Sequence, residues 1–386
     1  MRKRISTPGA SSTAVDVRVP AALRASVDGT ARYAARSRDR FADGFYRQGL
    51  AGLTLSSIGI GTYLGDCDDA EDARYSATIA RAFTSGINLV DTAINYRCQR
   101  SERAVGSAIE QVLATGQIAR DELVVCTKGG FVPLADSPPE SREAYREYLE
   151  REFFDTGVMT PDDLVAGGHS LAPGFLRYCI TRSRRNLGVR TIDVYLLHNP
   201  EQQLATLAPQ SFRERLRAAF MVLEDAVGRG EIARYGCATW TGLRVAPGTK
   251  GHLSLQELVE IAREVAGDRH HFEVVQLPIS LAMPEAIRVP TQPLGRSRQL
   301  VPLLEAAAAL GISVLASASL MQAQLAQGLP PGVRALVPNC RTDAQCALSF
   351  VRALPGVTSA LVGMRTVAHL EENLESGSRM MQSGTA

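Results

Sequence analysis

The sequence predicts an α/β protein, a (β/α)8 TIM barrel with a long loop after the third strand. Its 386 residues suffice for one large barrel or for two smaller domains. From Phe45 onward, eight short β-rich runs alternate with amphipathic helical stretches, which favours a closed parallel barrel. A doubly wound open sheet is the alternative. An open sheet of this kind would carry a dinucleotide-binding fingerprint of three glycines at the start of a helix. Gly59 and Gly61 are not followed by the third glycine or by a helix start, so the barrel is preferred.

The predicted elements follow one another in a regular order. Each strand run has four to seven residues, most of the runs contain Val, Ile or Leu, and apolar residues then recur every three or four positions in the following helix. Strands are expected at residues 58–62, 88–91, 123–128, 192–198, 235–239, 274–278, 312–316 and 359–363. Helices are expected at residues 69–84, 102–114, 175–187, 212–228, 255–266, 300–310, 344–353 and 367–380.

The amino-terminal segment differs in composition from the rest. The first 48 residues hold ten Lys or Arg and four Asp, with few large apolar side chains. Such a segment cannot bury enough surface to fold by itself, so residues 1–44 are predicted to form a flexible arm before a barrel over residues 45–386. A transit peptide is an alternative, because such peptides are rich in Arg and Ser, although Asp16 and Asp28 are unfavourable for one.

Charge and composition limit the classes of binding partner that can be expected. With 42 basic and 40 acidic residues the net charge is +2, which does not favour nucleic acid or an anionic membrane as partner. The most apolar stretch, residues 306–321, is interrupted by Gly311 and by serines, so no membrane helix is expected. Seven cysteines without a C-x-x-C pair indicate reduced thiols, a cytoplasmic location and no metal. A small molecule is the expected partner, and the oligomeric state is left open.

Polar residues stand at the ends of several predicted strands, where barrel enzymes carry their active sites. Asp91 ends the second strand and Tyr96 follows it, Lys128 ends the third, and His198 ends the fourth. The sixth strand carries Gln276. Each residue alone could be a cap, a loop residue or a packed side chain. Together they indicate a site, because buried charges are tolerated only when they are paired.

These residue types suit the reduction of a carbonyl group. An ammonium group beside a tyrosine stabilises the phenolate and is expected to lower the tyrosine pKa toward neutrality. Tyr96 would then donate the proton, Asp91 would hold Lys128, and His198 would bind the carbonyl oxygen. This set supplies protons but no hydride, so a nicotinamide cofactor is expected.

The same residues lie in motifs that resemble those of the aldo-keto reductases. The motifs are D-T-A-x-x-Y at 91–96, VCTKGG around Lys128 and YLLHNP around His198. FYRQGLAGLTLSSIGIGTY at 45–63 and GVTSALVGMRTVAHLEENL at 356–374 resemble the family's opening hairpin and last strand with its adenine-binding helix. The resemblance implies a (β/α)8 barrel, metal-free reduction of aldehydes and ketones by NAD(P)H, and a catalytic tetrad of Asp91, Tyr96, Lys128 and His198.

The nicotinamide side of the site departs from the family pattern. The family's Ser-Asn pair falls on Ala238 and Thr239, and its nicotinamide-stacking aromatic residue falls on Ser317, whereas its glutamine is kept as Gln276. Threonine cannot replace a side-chain amide, so we expect a weaker or differently oriented nicotinamide, or an aromatic ring such as that of Trp240 or Tyr63 approaching from elsewhere. The residues assigned here to the nicotinamide side are Thr62, Thr239, Gln276, Ser317 and Leu320.

The adenosine side matches the family better. The resemblance assigns Arg365 and His369 to a 2′-phosphate, and Glu372 and Asn373 to the adenine. NADPH is therefore predicted as cofactor, with NADH as the less favoured choice. For Arg365 a solvated arginine at a helix start is the alternative.

The long loop after Lys128 is predicted to contain a helix at residues 140–154. Tyr145, Tyr148, Leu149 and Phe153 share one face of that helix, and Glu147 is spaced to pair with Arg151. The helix could be a lid that closes on substrate or a helix packed over the barrel rim.

Three functions are compatible with this sequence. An NADPH-dependent carbonyl reductase that acts on a small-molecule carbonyl substrate is preferred because the tetrad is complete. An NADP(H)-binding regulatory or sensing barrel with little turnover is the alternative, since residues 238, 239 and 317 depart from the pattern. A third possibility is an aldolase-like enzyme that forms a Schiff base at Lys128.

Overall fold

The computed structural model describes residues 23–335, 337 and 340–378. Eight parallel strands close into a barrel in the order β11-β12-β3-β4-β5-β6-β7-β8, and two short antiparallel hairpins lie outside it, so the predicted fold class is confirmed. The strands are β1 (Tyr46–Gly49), β2 (Leu53–Ser56), β3 (Ile58–Gly61), β4 (Leu89–Asp91), β5 (Val124–Gly129), β6 (Val194–His198), β7 (Tyr235–Ala238), β8 (Phe272–Pro278), β9 (Gln292–Leu294), β10 (Gln299–Val301), β11 (Ser313–Ser317) and β12 (Val357–Gly363).

Helices alternate with the barrel strands. No helix in the described part of the chain is long and apolar enough to cross a membrane. The α-helices are α1 (Val27–Ser37), α2 (Asp69–Ser85), α3 (Arg100–Ala114), α4 (Arg142–Leu149), α5 (Pro173–Leu187), α6 (Pro209–Gly228), α7 (Leu255–Ala266), α8 (Glu285–Arg288), α9 (Leu303–Leu310), α10 (Pro331–Arg334), α11 (Asp343–Ala353) and α12 (Val367–Glu375).

Two predicted helix boundaries need correction. The helix predicted from residue 300 begins at Leu303, because residues 299–301 pair as β10 with β9 and Pro302 precedes the first helical turn. The last helix ends at Glu375 rather than at residue 380, and residues 379 and 380 lie outside the described residues.

The hairpin of β1 and β2 packs against the inside of the barrel at its amino-terminal end. Leu50, Leu53 and Leu55 are buried in one cluster with residues near the starts of the barrel strands, among them Leu89 and Val124. Burial of apolar side chains at this end stabilises the barrel and leaves the opposite end for polar groups.

The prediction of a flexible arm over residues 1–44 is wrong for residues 23–44. Helix α1 packs on the barrel: Arg32 and Arg36 both pair with the buried Glu122, at 2.8 and 2.6 Å. Gly29 lies so close to Asp121 that a Cβ atom would come within 2.3 Å of its carbonyl oxygen. The segment also buries Tyr33 and Phe41 in the core, so ion pairs and apolar contacts together hold it on the barrel. Residues 1–22, which the transit-peptide alternative concerns most, lie outside the described residues.

The long loop after β5 contains the predicted helix as α4, extended by one wide π turn over Glu150–Phe154. Phe153 is fully buried and lies edge-on to Phe175 and Tyr178 of α5, with ring centroids 5.6 and 5.2 Å apart. The structure thus has the helix packed over the rim. The predicted pair of Glu147 with Arg151 is wrong, since the wide turn takes Arg151 out of i,i+4 register and its Nε lies 3.3 Å from Glu152.

Candidate active site

Neighbouring parallel strands bring the predicted catalytic residues to one end of the barrel. Asp91 is the last residue of β4, Lys128 lies near the end of β5 and His198 is the last residue of β6. β5 pairs with β4 on one side and with β6 on the other. Tyr96 follows β4 in a turn closed by its own N–H donating to the Ala93 carbonyl at 3.0 Å. All four residues of the predicted tetrad therefore lie at the same mouth.

The Lys128 ammonium group is the centre of this arrangement. Its Nζ lies 2.7 Å from Asp91 Oδ2, 2.9 Å from the Thr92 carbonyl oxygen and 3.3 Å from Tyr96 Oη. The lysine side chain is 1% exposed. An ammonium group has three N–H donors, and each has an acceptor here. Gln276 Nε2 donates to the other Asp91 oxygen at 2.8 Å, so the carboxylate is held from both sides.

Electrostatics keep Lys128 charged and Tyr96 protonated. Burial is the largest single influence and opposes the ammonium charge, but the effects of Asp91, followed by those of Tyr96 and Cys126, together outweigh it, and the pKa of Lys128 is raised. For Tyr96 burial is the largest influence and raises the pKa, while Lys128 lowers it by a smaller amount. The expectation that the lysine brings the Tyr96 pKa toward neutrality is thus wrong in net direction. At neutral pH the phenol holds its proton.

His198 lies beside Tyr96, with ring centroids 5.6 Å apart, and is neutral. Burial, then the nearby Lys128 and His169, lower its pKa well below the usual value for histidine. Its Nδ1 is buried and has no hydrogen-bond partner among the described residues. A neutral imidazole in this position can hydrogen-bond an incoming oxygen without supplying a charge.

Two residues that support His198 were missed from the sequence. His169 Nε2 lies 2.7 Å from the His198 carbonyl oxygen, and Gln203 Nε2 lies 2.9 Å from His169 Nδ1. Because Gln203 Nε2 can only donate, His169 carries its proton on Nε2 and donates it to His198. Burial lowers the pKa of His169 to about 4. The Phe131 ring lies edge-on to both histidines, with centroid distances of 4.9 and 5.0 Å.

The residues predicted for the nicotinamide side fall into two groups. Gln276 and Thr62 contact Asp91, since Thr62 Oγ1 donates to the Asp91 carbonyl at 3.3 Å. Thr239 N–H donates to the Gln276 carbonyl at 2.8 Å, while its buried Oγ1 has no partner in the described structure. Ser317 ends β11 beside β8, and the partly buried Leu320, in the turn that follows, packs against the core. The residues predicted for the nicotinamide side thus lie around the strand ends near Asp91, but they are not joined in a single hydrogen-bond network.

The turn after β7 is held by Glu201, a third residue that was missed. Its Oε1 accepts from the backbone N–H groups of Trp240, Thr241 and Gly242 at 2.8, 3.1 and 3.3 Å. Of the two aromatic residues suggested as substitutes, Trp240 is 44% exposed on this turn. Tyr63 lies edge-on to Tyr96, with ring centroids 5.0 Å apart. Glu201 follows the H-N-P motif directly, which is the only signal the sequence offers for it.

At the adenosine side, Arg365 already has a carboxylate partner. Its Nε and Nη2 lie 2.6 and 2.9 Å from the two oxygens of Glu71, whose side chain is buried. Arg365 is thus an ion-paired arginine just before α12, with its side chain 40% exposed. His369 is exposed in the first turn of α12, Glu372 is partly buried, and Asn373 is buried with its Oδ1 unpartnered among the described residues.

Sequence comparison relates the chain to reductases and dehydrogenases. Residues 57–248 match the Aldo/keto reductase family. D-threo-aldose 1-dehydrogenase of a Pseudomonas species is 30% identical over 188 residues, which are 48% of this chain and 50% of that protein. NADH-specific methylglyoxal reductase of Escherichia coli K12 is 28% identical over 195 residues, 49% of this chain and 50% of that protein. The chain is thus matched over about half the length of these curated relatives.

Solved structures share the barrel over most of the chain. An aldo/keto reductase from Klebsiella pneumoniae, in complex with NADP and acetate, has a TM-score of 0.56 and 20% identity, covering 86% of this chain and 89% of that one. The holo form of an aldo-keto reductase from Bacillus halodurans has a TM-score of 0.57 and 17% identity, covering 86% and 90%. The chain belongs to the aldo/keto reductase family.

Proposed function

We propose that this protein is an oxidoreductase that reduces an aldehyde or ketone with a nicotinamide cofactor. The single observation that carries the proposal is the Lys128 ammonium group bound at once to Asp91 and to Tyr96 Oη. A phenol held beside a fixed positive charge is a proton donor whose conjugate base is stabilised in advance. The two curated relatives, a dehydrogenase of an aldose and a reductase of methylglyoxal, support the same reaction class.

Residues after β7 and in α12 fit a nicotinamide cofactor. Thr239 Oγ1 and Asn373 Oδ1 are buried polar atoms without partners in the described part of the chain, and such atoms are normally hydrogen-bonded. When bound, the reduced nicotinamide supplies the hydride. The residues that would hold it are Thr62, Thr239, Gln276, Ser317 and Leu320 on the nicotinamide side, and Arg365, His369, Glu372 and Asn373 on the adenosine side.

The proton comes from Tyr96. Its raised pKa keeps the phenol protonated at neutral pH, so Oη can donate to the carbonyl oxygen of the substrate as that oxygen gains negative charge. Lys128 Nζ, 3.3 Å away, then stabilises the phenolate. Asp91 fixes the ammonium group and compensates its burial.

His198 orients the substrate in this scheme. Because its imidazole is neutral, it can share one hydrogen bond with the substrate oxygen through Nε2, since Nδ1 is buried. Tyr63 and Phe131 lie edge-on to Tyr96 and His198, respectively, and give the site apolar walls. A small aldehyde or ketone suits a site with these walls and two hydrogen-bonding groups.

The two other functions are less well supported. A Schiff base requires a neutral amine, whereas the raised pKa of Lys128 keeps its side chain as an ammonium ion. A regulatory barrel with little turnover would not need a buried Lys128 whose three N–H donors are all hydrogen-bonded at the site. NADPH is proposed as the preferred cofactor because the resemblance assigns Arg365 to the 2′-phosphate, which would compete with Glu71 for it. NADH remains the second choice, as one relative is specific for it.

The proposed environment is a reducing one. None of the seven cysteines, which all lie among the described residues, is in a disulfide, and this suits a cytoplasmic location. A small-molecule partner, rather than nucleic acid, remains the expectation from the balanced charge.

The decisive experiment compares wild type with Tyr96→Phe. We expect NADPH-dependent reduction of some members of a panel of small aldehydes and ketones. The variant should lose turnover by roughly 10²- to 10⁴-fold, the usual contribution of general acid catalysis. Quenching of Trp240, the single tryptophan, should show NADPH binding in both proteins, since this residue adjoins Thr239. Full activity of the variant would refute the mechanism, and no turnover by wild type despite NADPH binding would refute the enzyme assignment.

A further inference from the structure

Two cysteines that the proposed reaction does not use lie against each other at the barrel mouth. Cys67, in the loop between β3 and α2, has its Sγ 3.7 Å from Sγ of Cys98, in the loop between β4 and α3. Cys67 is partly exposed and Cys98 is buried. Both loops also carry site residues, since Tyr63 precedes Cys67 and Tyr96 precedes Cys98.

A buried arginine holds the two loops together. Arg97 Nε donates to the Asp66 carbonyl at 2.8 Å, and its Nη2 reaches the Asp68 carbonyl at 3.4 Å and Asp72 Oδ1 at 2.5 Å. The residues on both sides of Cys67 are therefore bound by the residue that immediately precedes Cys98. The contact between the two sulfur atoms follows from a fixed backbone arrangement rather than from chance packing.

The backbone at Cys98 is strained. Arg97, Cys98 and Gln99 have φ values of 47°, 55° and 68°, in the left-handed region that non-glycine residues seldom adopt. Neighbouring contacts keep this conformation, including the N–H of Asp136, which donates to the Cys98 carbonyl at 3.3 Å. Runs of this kind persist only where the surrounding structure determines them, and they concentrate at functional and switching segments.

We propose that Cys67 and Cys98 form a redox-active dithiol, which a peroxide converts into an intramolecular disulfide. The Cys67 thiolate attacks one peroxide oxygen, the O–O bond breaks, and Cys67 becomes a sulfenic acid while hydroxide leaves. The Cys98 sulfur then attacks the Cys67 sulfur, and the sulfenic hydroxyl group leaves with the thiol proton as water. Two thiols and one hydrogen peroxide thus give one disulfide and two water molecules.

The exposure of the two thiols assigns the order of attack. Cys67 is the one that a dissolved peroxide can reach, whereas Cys98 is buried and burial raises its pKa to about 12. Cys98 therefore stays a thiol until the sulfenic acid forms beside it. This places Cys98 as the resolving cysteine.

The disulfide should slow the reaction at Tyr96, a consequence that rests on the proposed function. A disulfide bond requires the sulfur atoms to approach from 3.7 Å to about 2 Å, through rotation of the two side chains or a shift of the loops that carry them, and either change repacks the surroundings of Cys98. Tyr96 is two residues from Cys98, and its Oη lies 3.3 Å from Lys128 Nζ. Since misplacement of a reacting group by about 1 Å can cost 10²-fold in rate, we expect kcat to fall at least about tenfold.

The test is to treat the reduced full-length protein with hydrogen peroxide, block remaining thiols and measure the intact mass and the linked peptides. We expect the loss of two hydrogen atoms, a peptide pair joining Cys67 to Cys98, and full reversal by dithiothreitol. Cys98→Ser should accumulate a sulfenic acid at Cys67 that dimedone captures, whereas Cys67→Ser should form no such disulfide. A Cys340→Ser/Cys346→Ser variant, which removes the other neighbouring cysteine pair, should oxidise like wild type.

Irreversible sulfinic acid at Cys67 with Cys98 still a thiol, or a disulfide confined to Cys340 and Cys346, would overturn the proposal. A reversible Cys67–Cys98 disulfide in a protein that reduces no carbonyl in either state would uphold the redox site and refute the proposed function. Unchanged kcat in the oxidised form of an active enzyme would refute the coupling to Tyr96.

Discussion

Two ion pairs at the carboxyl end of the barrel differ in burial, and the difference separates catalysis from cofactor recognition. Lys128 and Asp91 lie at the mouth with side chains only 1% and 8% exposed. Arg365 and Glu71 lie at the rim, where the arginine side chain is 40% exposed. Water cannot replace a lost partner at the mouth, whereas at the rim it reaches Arg365, and the buried Glu71 keeps Arg74 as a second partner. The buried pair is therefore suited to hold a charge permanently, and the rim pair to exchange its partner.

Breaking the buried pair should have the largest effect. Lys128→Met leaves the Asp91 carboxylate buried without its cation, which should cost about 3–5 kcal/mol in the free energy of unfolding. Turnover should fall by about 10²- to 10⁴-fold, because the Tyr96 phenolate loses its stabilising charge. Urea unfolding and steady-state kinetics measure the two effects.

A double variant separates stability from chemistry. Asp91→Asn/Lys128→Met removes both charges, so most of the lost stability should return while turnover remains low. If the double variant is as unstable as Lys128→Met, the loss of stability at this site comes from packing rather than from the unpaired charge.

The buried histidines beside this pair should make stability depend on pH. Burial lowers the pKa of His169 to about 4, whereas an unfolded chain has a histidine pKa near 6.5. Between these values the unfolded state binds a proton that the folded state does not, so stability falls as pH falls from about 6.5 to about 4. His169 alone should account for roughly 3 kcal/mol of this loss, and the lowered pKa of His198 adds to it.

His169→Gln tests the assignment, because an amide N–H can still donate to the His198 carbonyl and does not titrate. Urea denaturation of this variant should show a shallower loss of stability between pH 6.5 and 4. His369→Gln, at an exposed histidine, should leave the slope unchanged. An equal dependence of stability on pH in wild type and His169→Gln would show that His169 is not the source of the loss.

Breaking the rim pair should change cofactor preference rather than stability. Glu71→Gln keeps the size of the side chain but removes the carboxylate that holds Arg365, leaving the guanidinium group free for a 2′-phosphate. The ratio of NADPH to NADH affinity should rise about fivefold, which corresponds to about 1 kcal/mol and is typical of an exposed ion pair. Trp240 fluorescence titration with both cofactors provides the measurement.

Arg74→Gln is the matched control, because Arg74 is the other partner of Glu71, at 2.9 Å. It leaves the pair of Arg365 and Glu71 intact and should leave the ratio of affinities near that of wild type. An unchanged ratio in Glu71→Gln would show that Arg365 does not contact a phosphate.

The sequence predicts those features of the molecule that follow from local patterns and from the order of the strands, but not the contacts that other segments make after folding. The barrel strands and Lys128 could be predicted because strand runs are local patterns, and chain order places their carboxyl ends together. The roles of Glu71 and His169 could not, because these residues lie on a helix and in a long loop rather than at predicted strand ends, so chain order does not indicate their partners. Helix α1 was mistaken for a flexible arm for the same reason, since Glu122, its ionic partner, lies on a distant turn.

The direction in which the Tyr96 pKa shifts could not be predicted from the sequence either. The charge of Lys128 can be inferred from proximity, but the larger effect of burial depends on everything packed around the ring. Residue identity thus predicts which groups interact, and the sign of a titration shift requires the packed structure.

Thr239 directly follows β7 and belongs to neither ion pair, and its substitutions should have the smallest effects. Ala238→Ser/Thr239→Asn introduces the hydroxyl and amide groups that the resemblance associates with the carboxamide, and should tighten NADPH binding about threefold, a gain below 1 kcal/mol. Thr239→Val keeps the shape but removes Oγ1, which has no partner in the described structure, so binding should weaken by a similar factor. Because Glu201 binds the backbone of the following turn rather than these side chains, neither change should disturb the turn. If Thr239→Val binds NADPH as tightly as wild type, the hydroxyl group does not face the cofactor, and recognition depends on the rim.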